Sequence, residues 1–140
     1  MKSFLSGAAV GLALLLMGSG CATHSVMRMS NSVSVSGKSA TAYPAHSNKV
    51  FMTEATLPAS VKYEKLGQID VGIVTYANED AVLSRMADAA RGLGADAVVD
   101  LHIWFQPAGW AWRAPQGKGQ AVKLQDKAAF DALKLKGTLH

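Results

Sequence analysis

The segment Asn78 to Phe105, NEDAVLSRMADAARGLGADAVVDLHIWF, contains a change of period that decides the fold class. Val82, Met86, Ala89, Ala90 and Leu93 recur at helical spacing and share one face. Asn78 precedes them as an N-cap, and Glu79 and Asp80 put negative charge at the positive end of the helix dipole. Gly92 or Gly94 then ends the helix by taking the left-handed conformation. Immediately downstream the period falls to two. Val99, Leu101, Ile103 and Phe105 alternate with Val98, Asp100, His102 and Trp104, as in a strand with one apolar and one mixed face.

Working outward, Lys49-Val50-Phe51-Met52 reads as a first strand, broken at Leu57-Pro58-Ala59. Tyr63 to Tyr76 is rich in β-branched and aromatic residues, with Ile69, Val71 and Ile73 alternating against Gln68, Asp70 and Gly72. It is long for one strand, and Gly67 or Gly72 is expected to mark a bulge. On the far side, Gln106 to Gly117 holds two prolines and two glycines and reads as a loop or irregular hairpin. Gln120 to Leu124 reads as a last short strand. Asp126 caps a closing helix in which Phe130, Leu133 and Ala129 face the sheet, ending near Gly137. The expected fold class is α+β: a small β-β-α-β-β-α domain over 48–140, a mixed sheet with its helices packed on one side.

The amino-terminal part is of a different kind. Lys2 precedes an apolar run from Phe4 to Met17, and Gly18-Ser19-Gly20 then supplies small residues directly before Cys21. This is the n-region, h-region and cleavage pattern of a secretory signal over 1–20. The run of about 14 residues is short of the ~20 that a spanning helix needs. The small residues before Cys21 resemble the lipobox of bacterial lipoproteins, with Gly18 where a larger aliphatic is usual. That resemblance implies diacylglyceryl transfer to the Cys21 thiol, whose thiolate is the nucleophile, and cleavage just before it. Two acyl chains anchor a protein stably where one does not. Ala22 and Thr23 lack the aspartate that retains such proteins at the inner membrane, so the outer membrane facing the periplasm is the expected address. Ala22 to Ser47 is rich in Ser, Thr, Asn and Ala and reads as a flexible tether, making 21–47 the lipidated cysteine and its linker. Within it Ser32-Val33-Ser34-Val35-Ser36 alternates strictly, which is also compatible with an edge strand.

Composition bounds the rest. The chain has 140 residues, 49% of them apolar, which supports one small domain with a core and excludes wholesale disorder. Small domains bury less of their surface, so modest stability and help from self-association into a homo-oligomer are expected. The net charge of +4 gathers towards the C-terminus, where Arg113, Lys118, Lys123, Lys127, Lys134 and Lys136 face only Asp126 and Asp131 after Trp110. Spread among aliphatics, these residues read as a solvated face, with an anionic lipid or polymer surface as the alternative. Nucleic acid is not an expected partner of an exported chain. The single cysteine excludes an internal disulfide.

Ala90-Arg91-Gly92-Leu93-Gly94-Ala95-Asp96-Ala97-Val98-Val99, followed at a distance by Gly119-Gln120-Ala121-Val122-Lys123, resembles the YbjQ-like family, a superfamily that also includes RcsF-type outer-membrane stress-sensor lipoproteins. The similarity runs from about Lys49 to Lys123. It implies the α+β fold and a stress-sensing or interaction role in the envelope. RcsF-type sensors pair cysteines within the folded domain, and this chain has none there.

Two groups of residues are candidates for chemistry. Asp100 and His102, two apart on a strand, would share a face about 7 Å apart and could be two ligands of a metal or an acid-base pair. A partly exposed polar face is the alternative reading. Trp104, Trp110 and Trp112, with Phe105, concentrate aromatic surface that could dock an envelope protein, a glycan or a membrane interface, or else cap the open side of the sheet. No nucleophile elbow, phosphate-binding glycine loop or metalloprotease helix is present, and no cofactor is expected. The domain reads as a non-catalytic interaction module with a small-ligand or metal-binding module as the alternative.

Overall fold

The computed structural model describes residues 28–140. The signal over 1–20 and Cys21 lie outside the described residues. Chain order is β1 (Ser32–Ser36), β2 (Phe51–Met52), β3 (Tyr63–Gly72), α1 (Glu79–Gly92), β4 (Ala97–Ala108), β5 (Ala111–Leu124), α2 (Lys127–Ala132) and β6 (Thr138–Leu139). The six strands form one sheet in the order β1-β3-β5-β4-β2-β6. It is mixed: β2 and β4 run parallel, and the other pairs are antiparallel. The α+β class with a mixed sheet and two helices is therefore what the chain adopts, with a strand added at each end of the expected order.

α1 forms where its caps and periodicity place it. The Asn78 side chain accepts from the Ala81 N–H, and Val82, Met86, Ala87 and Ala90 are buried. Leu93 is the C-cap, and Gly94, at φ +75°, takes the left-handed position. Gly94 N–H donates to Arg91 O and Ala95 N–H to Ala90 O, the paired bonds of a Schellman ending. α2 is shorter than expected, because Lys134 turns left-handed at φ 46° directly after the Leu133 cap.

The expectation that both helices pack on one side is overturned. Val98 and Ala121 lie in the cluster with Val82, Met86 and Ala90 of α1, together with Ile69 and Val71. Ala97, Val99 and Val122, their immediate neighbours in sequence, lie in the cluster with Phe130 of α2, joined by Leu57 and Val61. Successive strand residues point to opposite faces, so the helices sit on opposite faces. Phe130 meets Phe51 edge to face at 5.5 Å between ring centroids.

The segment read as a loop or irregular hairpin is a hairpin. β4 continues to Ala108, the chain turns through Gly109 and Trp110, and β5 returns from Ala111 along the whole sheet. Glycines in β5 serve packing: a Cβ on Gly119 would stand 2.5 Å from Val98 Cγ1, and one on Gly117 would overlap Val82. Pro115 is tolerated because a side chain replaces its missing donor. Ile73 N–H donates to Pro115 O, and Gln116 Nε2 donates at 2.7 Å to the Ile73 carbonyl that the proline cannot serve.

The segment read as tether is also largely part of the fold. β1 pairs with β3 from Ser32↔Gly72 to Ser36↔Gln68. Ser39 and Tyr43 hydroxyls each donate at 2.6 Å to Glu64, and His46 Nε2 lies 2.7 Å from Ala95 O. The folded unit thus begins upstream of residue 48, the boundary expected for it. The Tyr43 backbone sits on the glycine that ends α1, where a Cβ on Gly94 would fall 2.6 Å from Tyr43 Cβ and 2.8 Å from Pro44 O.

β4 has an outer edge that is only partly used. β2 pairs with it at Ala97 and Val98, and the Asp100 and Leu101 N–H groups donate to Ala55 O and Thr53 O. Beyond Leu101, no strand among the described residues pairs with that edge.

Candidate functional site

The face opposite α1 is covered by α2 only at one end, and the remainder forms an open polar and aromatic surface. Strand register lays it out in rows. Ser34, Asp70, Lys118 and His102 align across β1, β3, β5 and β4. The next row is Ser32, Gly72, Gln116 and Trp104, and the row towards α2 is Ser36, Gln68, Gln120 and Val99.

Each row is built by identifiable contacts. The Arg28 guanidinium crosses Gly72, where any side chain would collide with it, and donates to Asp70 Oδ1 at 2.5 Å and to the Ser32 hydroxyl. Gln116 is fully buried beneath this surface. Its bond to Ile73 fixes the amide orientation and leaves Oε1 without a partner among the described residues. His102 stacks on Trp104 at 5.4 Å between ring centroids and 22° between planes, and Trp104 Nε1 donates to Gln106 Oε1 at 2.9 Å. Lys118 and His102 are exposed. The result is a mixed-charge, hydrogen-bonding and aromatic patch on the sheet, with Asp70 against Arg28 and Asp100 beside Lys118.

Asp100 and His102 both lie beside Lys118, but not in the simple alternation read from the sequence. The β4–β5 register breaks between Val99 and His102, and Asp100 sits in the extra position at φ 51°. Its carboxylate accepts from the Thr56 hydroxyl and lines a shallow recess of about 200 Å³ with Gln68, Lys118 and Gln120, while His102 stacks on Trp104. Among the described residues no three His, Cys, Asp or Glu side chains converge as a metal site would require.

The three tryptophans are also divided. Trp104 is half-buried on the sheet face, whereas Trp110 and Trp112 stand 95% and 82% exposed at the hairpin turn. Trp104 pairs with Gln116, so Trp112 lies about 13 Å further along β5. Trp112 N–H donates to the Tyr76 hydroxyl, which brings a third exposed ring to the same end.

A second recess, of about 440 Å³, lies on the α1 face beside the unpaired edge of β4. Leu83, Leu101 and Ile103 line it, with Glu79 and Lys136 at its margin. Neither it nor the Arg28–Asp70 pair was indicated by sequence motifs. Alternation of Gln116, Lys118 and Gln120 would have announced the polar row, had their glycine-rich segment been read as strand.

Elsewhere the motif residues hold the fold together. Asp96 accepts from the Leu124 N–H at 3.0 Å and pairs with Lys123 Nζ at 3.3 Å, joining the end of α1 to the end of β5. The Glu64 carboxyl is held below its ordinary range by hydrogen bonds from Ser39 and Tyr43, and the same carboxylate raises the Tyr43 phenol.

Comparison with family models, with curated proteins and with solved structures finds no match for this chain. Among the described residues no helix is long and apolar enough to cross a membrane.

Proposed function

We propose that this chain is a bacterial envelope lipoprotein, held by acyl chains on Cys21 at the outer membrane and facing the periplasm, with a non-catalytic YbjQ-like domain that binds an envelope partner. The small residues Gly18-Ser19-Gly20 before Cys21 support the anchor, and the GLGADAVV segment supports the family. A stress-sensing role is the form of partner binding that this resemblance implies.

The observation that carries the binding role is the open sheet face. Lys118 and His102 are exposed beside the stacked Trp104 ring, on strands whose opposite side is buried under α1. A partner meeting this face finds positioned donors and an aromatic ring without reorganising the domain, which lowers the entropic cost of association. The testing experiment is in-cell photocrosslinking of the lipidated protein, with the reactive side chain at position 118 or, as a control, at Ser84 on the exposed side of α1. Position 118 is expected to capture one envelope component that position 84 does not. Equal capture from both, or none from 118, refutes the assignment of this face. Mass spectrometry of native protein is expected to find diacylglyceryl on Cys21, and an unmodified thiol refutes the anchor.

A further inference from the structure

Among the described residues, four of the six exposed large apolar side chains gather at one end of the domain: Met29, Tyr76, Trp110 and Trp112. The remaining two, Val33 and Leu139, lie on the edge strands β1 and β6. The described residues begin at that same end. Gly109 N–H donates to Arg28 O at 2.7 Å, and Val74 N–H donates to the Asn31 side chain, so the first described residues are fastened to the hairpin turn. Behind the turn Ala108, Ala111 and Ala114 pack with Val74, which makes the end a supported surface.

We propose that this end, with Trp110 and Trp112 foremost, seats in the interfacial layer of the membrane that carries the anchor. The proposal rests on the reading of Cys21 as the lipid-bearing residue and adds an orientation and a second contact to it. Six residues separate Cys21 from Arg28. Whatever path they take, the two Cα atoms lie no more than about 25 Å apart. β4 runs for 12 residues from its Ala97 end to the turn, about 36 Å. A domain resting on its α2 end would hold Arg28 further from the bilayer than the leash reaches. The leash therefore excludes the α2 end and admits the aromatic end, where the first described residues lie. Indole and phenol rings favour this layer because they bury an apolar body while the polar N–H or O–H stays wet. Arg113, exposed and stacked 3.8 Å over Phe105, stands next to the turn where lipid phosphates would lie.

The test uses full-length lipidated protein reconstituted into phosphatidylcholine–phosphatidylglycerol vesicles, with intact mass first confirming the acylated Cys21. Brominated acyl chains quench only those indoles that enter the bilayer. Quenching is expected for the wild-type chain and is expected to vanish in the Trp110→Phe/Trp112→Phe variant, whose remaining tryptophan is Trp104. Wild-type emission that brominated lipid leaves unchanged, on protein with a confirmed anchor, overturns the proposal while leaving the anchor standing. Equal quenching in the variant overturns it as well, by locating the contact at Trp104. A missing acyl group is a different failure, of the anchor itself, and is read from the mass before any vesicle is made.

Discussion

Gly92 and Gly94 stand two residues apart at the end of α1, and the structure assigns opposite signs to the same substitution. Gly92 is helical, and a Cβ there meets nothing within 4 Å. Gly92→Ala is expected to stabilise by about 0.5–1 kcal/mol, through the entropy the unfolded chain no longer has to lose. Gly94 is left-handed at φ +75°, which costs a side-chain-bearing residue about 1–2 kcal/mol. Its new Cβ would also stand 2.6 Å from Tyr43 Cβ and 2.8 Å from Pro44 O, and because Pro44 O belongs to the backbone, that side cannot yield by changing a rotamer. Overpacking of this kind adds about 1–3 kcal/mol. After the unfolded-state gain, Gly94→Ala is expected to destabilise by about 2–4 kcal/mol, or to lower Tm by roughly 8–16 °C in a domain of this size. Urea titration followed by circular dichroism measures both variants, with an unchanged slope required for the comparison. Loss of protection at the His46 amide, which donates to Arg91 O, would show the upstream segment lifting off. A Gly94→Ala protein within about 0.5 kcal/mol of wild type would refute the account, since surface substitutions without a mechanism fall in that range.

Three further predictions test other joints of the structure. Gln116→Leu is expected to cost about 1–3 kcal/mol by stranding the Ile73 carbonyl, and Pro115→Ala, by restoring a backbone donor, is expected to reduce that cost in a double-mutant cycle. Phe130→Ala is expected to destabilise by about 3–5 kcal/mol, and indifference to it in urea unfolding would contradict the placement of α2 on the second face. The contacts of Ser39 and Tyr43 with Glu64 are expected to be pH-dependent: the lowered carboxyl gives a contribution present above the ordinary glutamate range and lost as pH falls through the folded value, and the raised phenol gives one present below the ordinary tyrosine range and lost as pH rises through the folded value. Hydrogen exchange of residues 39–43 between pH 3 and pH 7 measures the acid limb, and Glu64→Gln is expected to flatten it.

The sequence showed the elements whose local chemistry and tertiary role agree. α1 has a cap, acidic residues in its first turn, an apolar stripe and a terminating glycine, and all of them act as their residue types suggest. Of β5 only Gln120 to Leu124 was legible, and the earlier part was opaque because its tertiary role runs against its composition. Gly117 reads as loop and Gly119 precedes the strand read from Gln120, yet both are small because Val82, Met86 and Val98 occupy the space their side chains would need. Pro115 reads as a breaker, and only the Gln116 side chain, facing Ile73, makes it acceptable within a sheet. With the first part of that strand unread, the row of Asp70, Lys118 and His102 could not be assembled, and the bulge between Val99 and His102, which gives Asp100 its left-handed backbone, left no trace in the alternation. The upstream serines likewise resembled linker, since a two-sided edge strand with half-buried Val35 needs little apolar surface of its own.

The unused margin of β4 sets how this protein can meet an extended peptide. Leu101 N–H points outward to Thr53 O, so alternation turns the amides of Ile103 and Phe105 outward as well, where an incoming chain could continue the ladder. At the next outward position stands Pro107, which has no hydrogen to offer. Strand addition at this margin meets two outward donors before the proline interrupts the ladder. A threonine or valine in place of Pro107 would lengthen it and turn a blunt border into a template for aggregation.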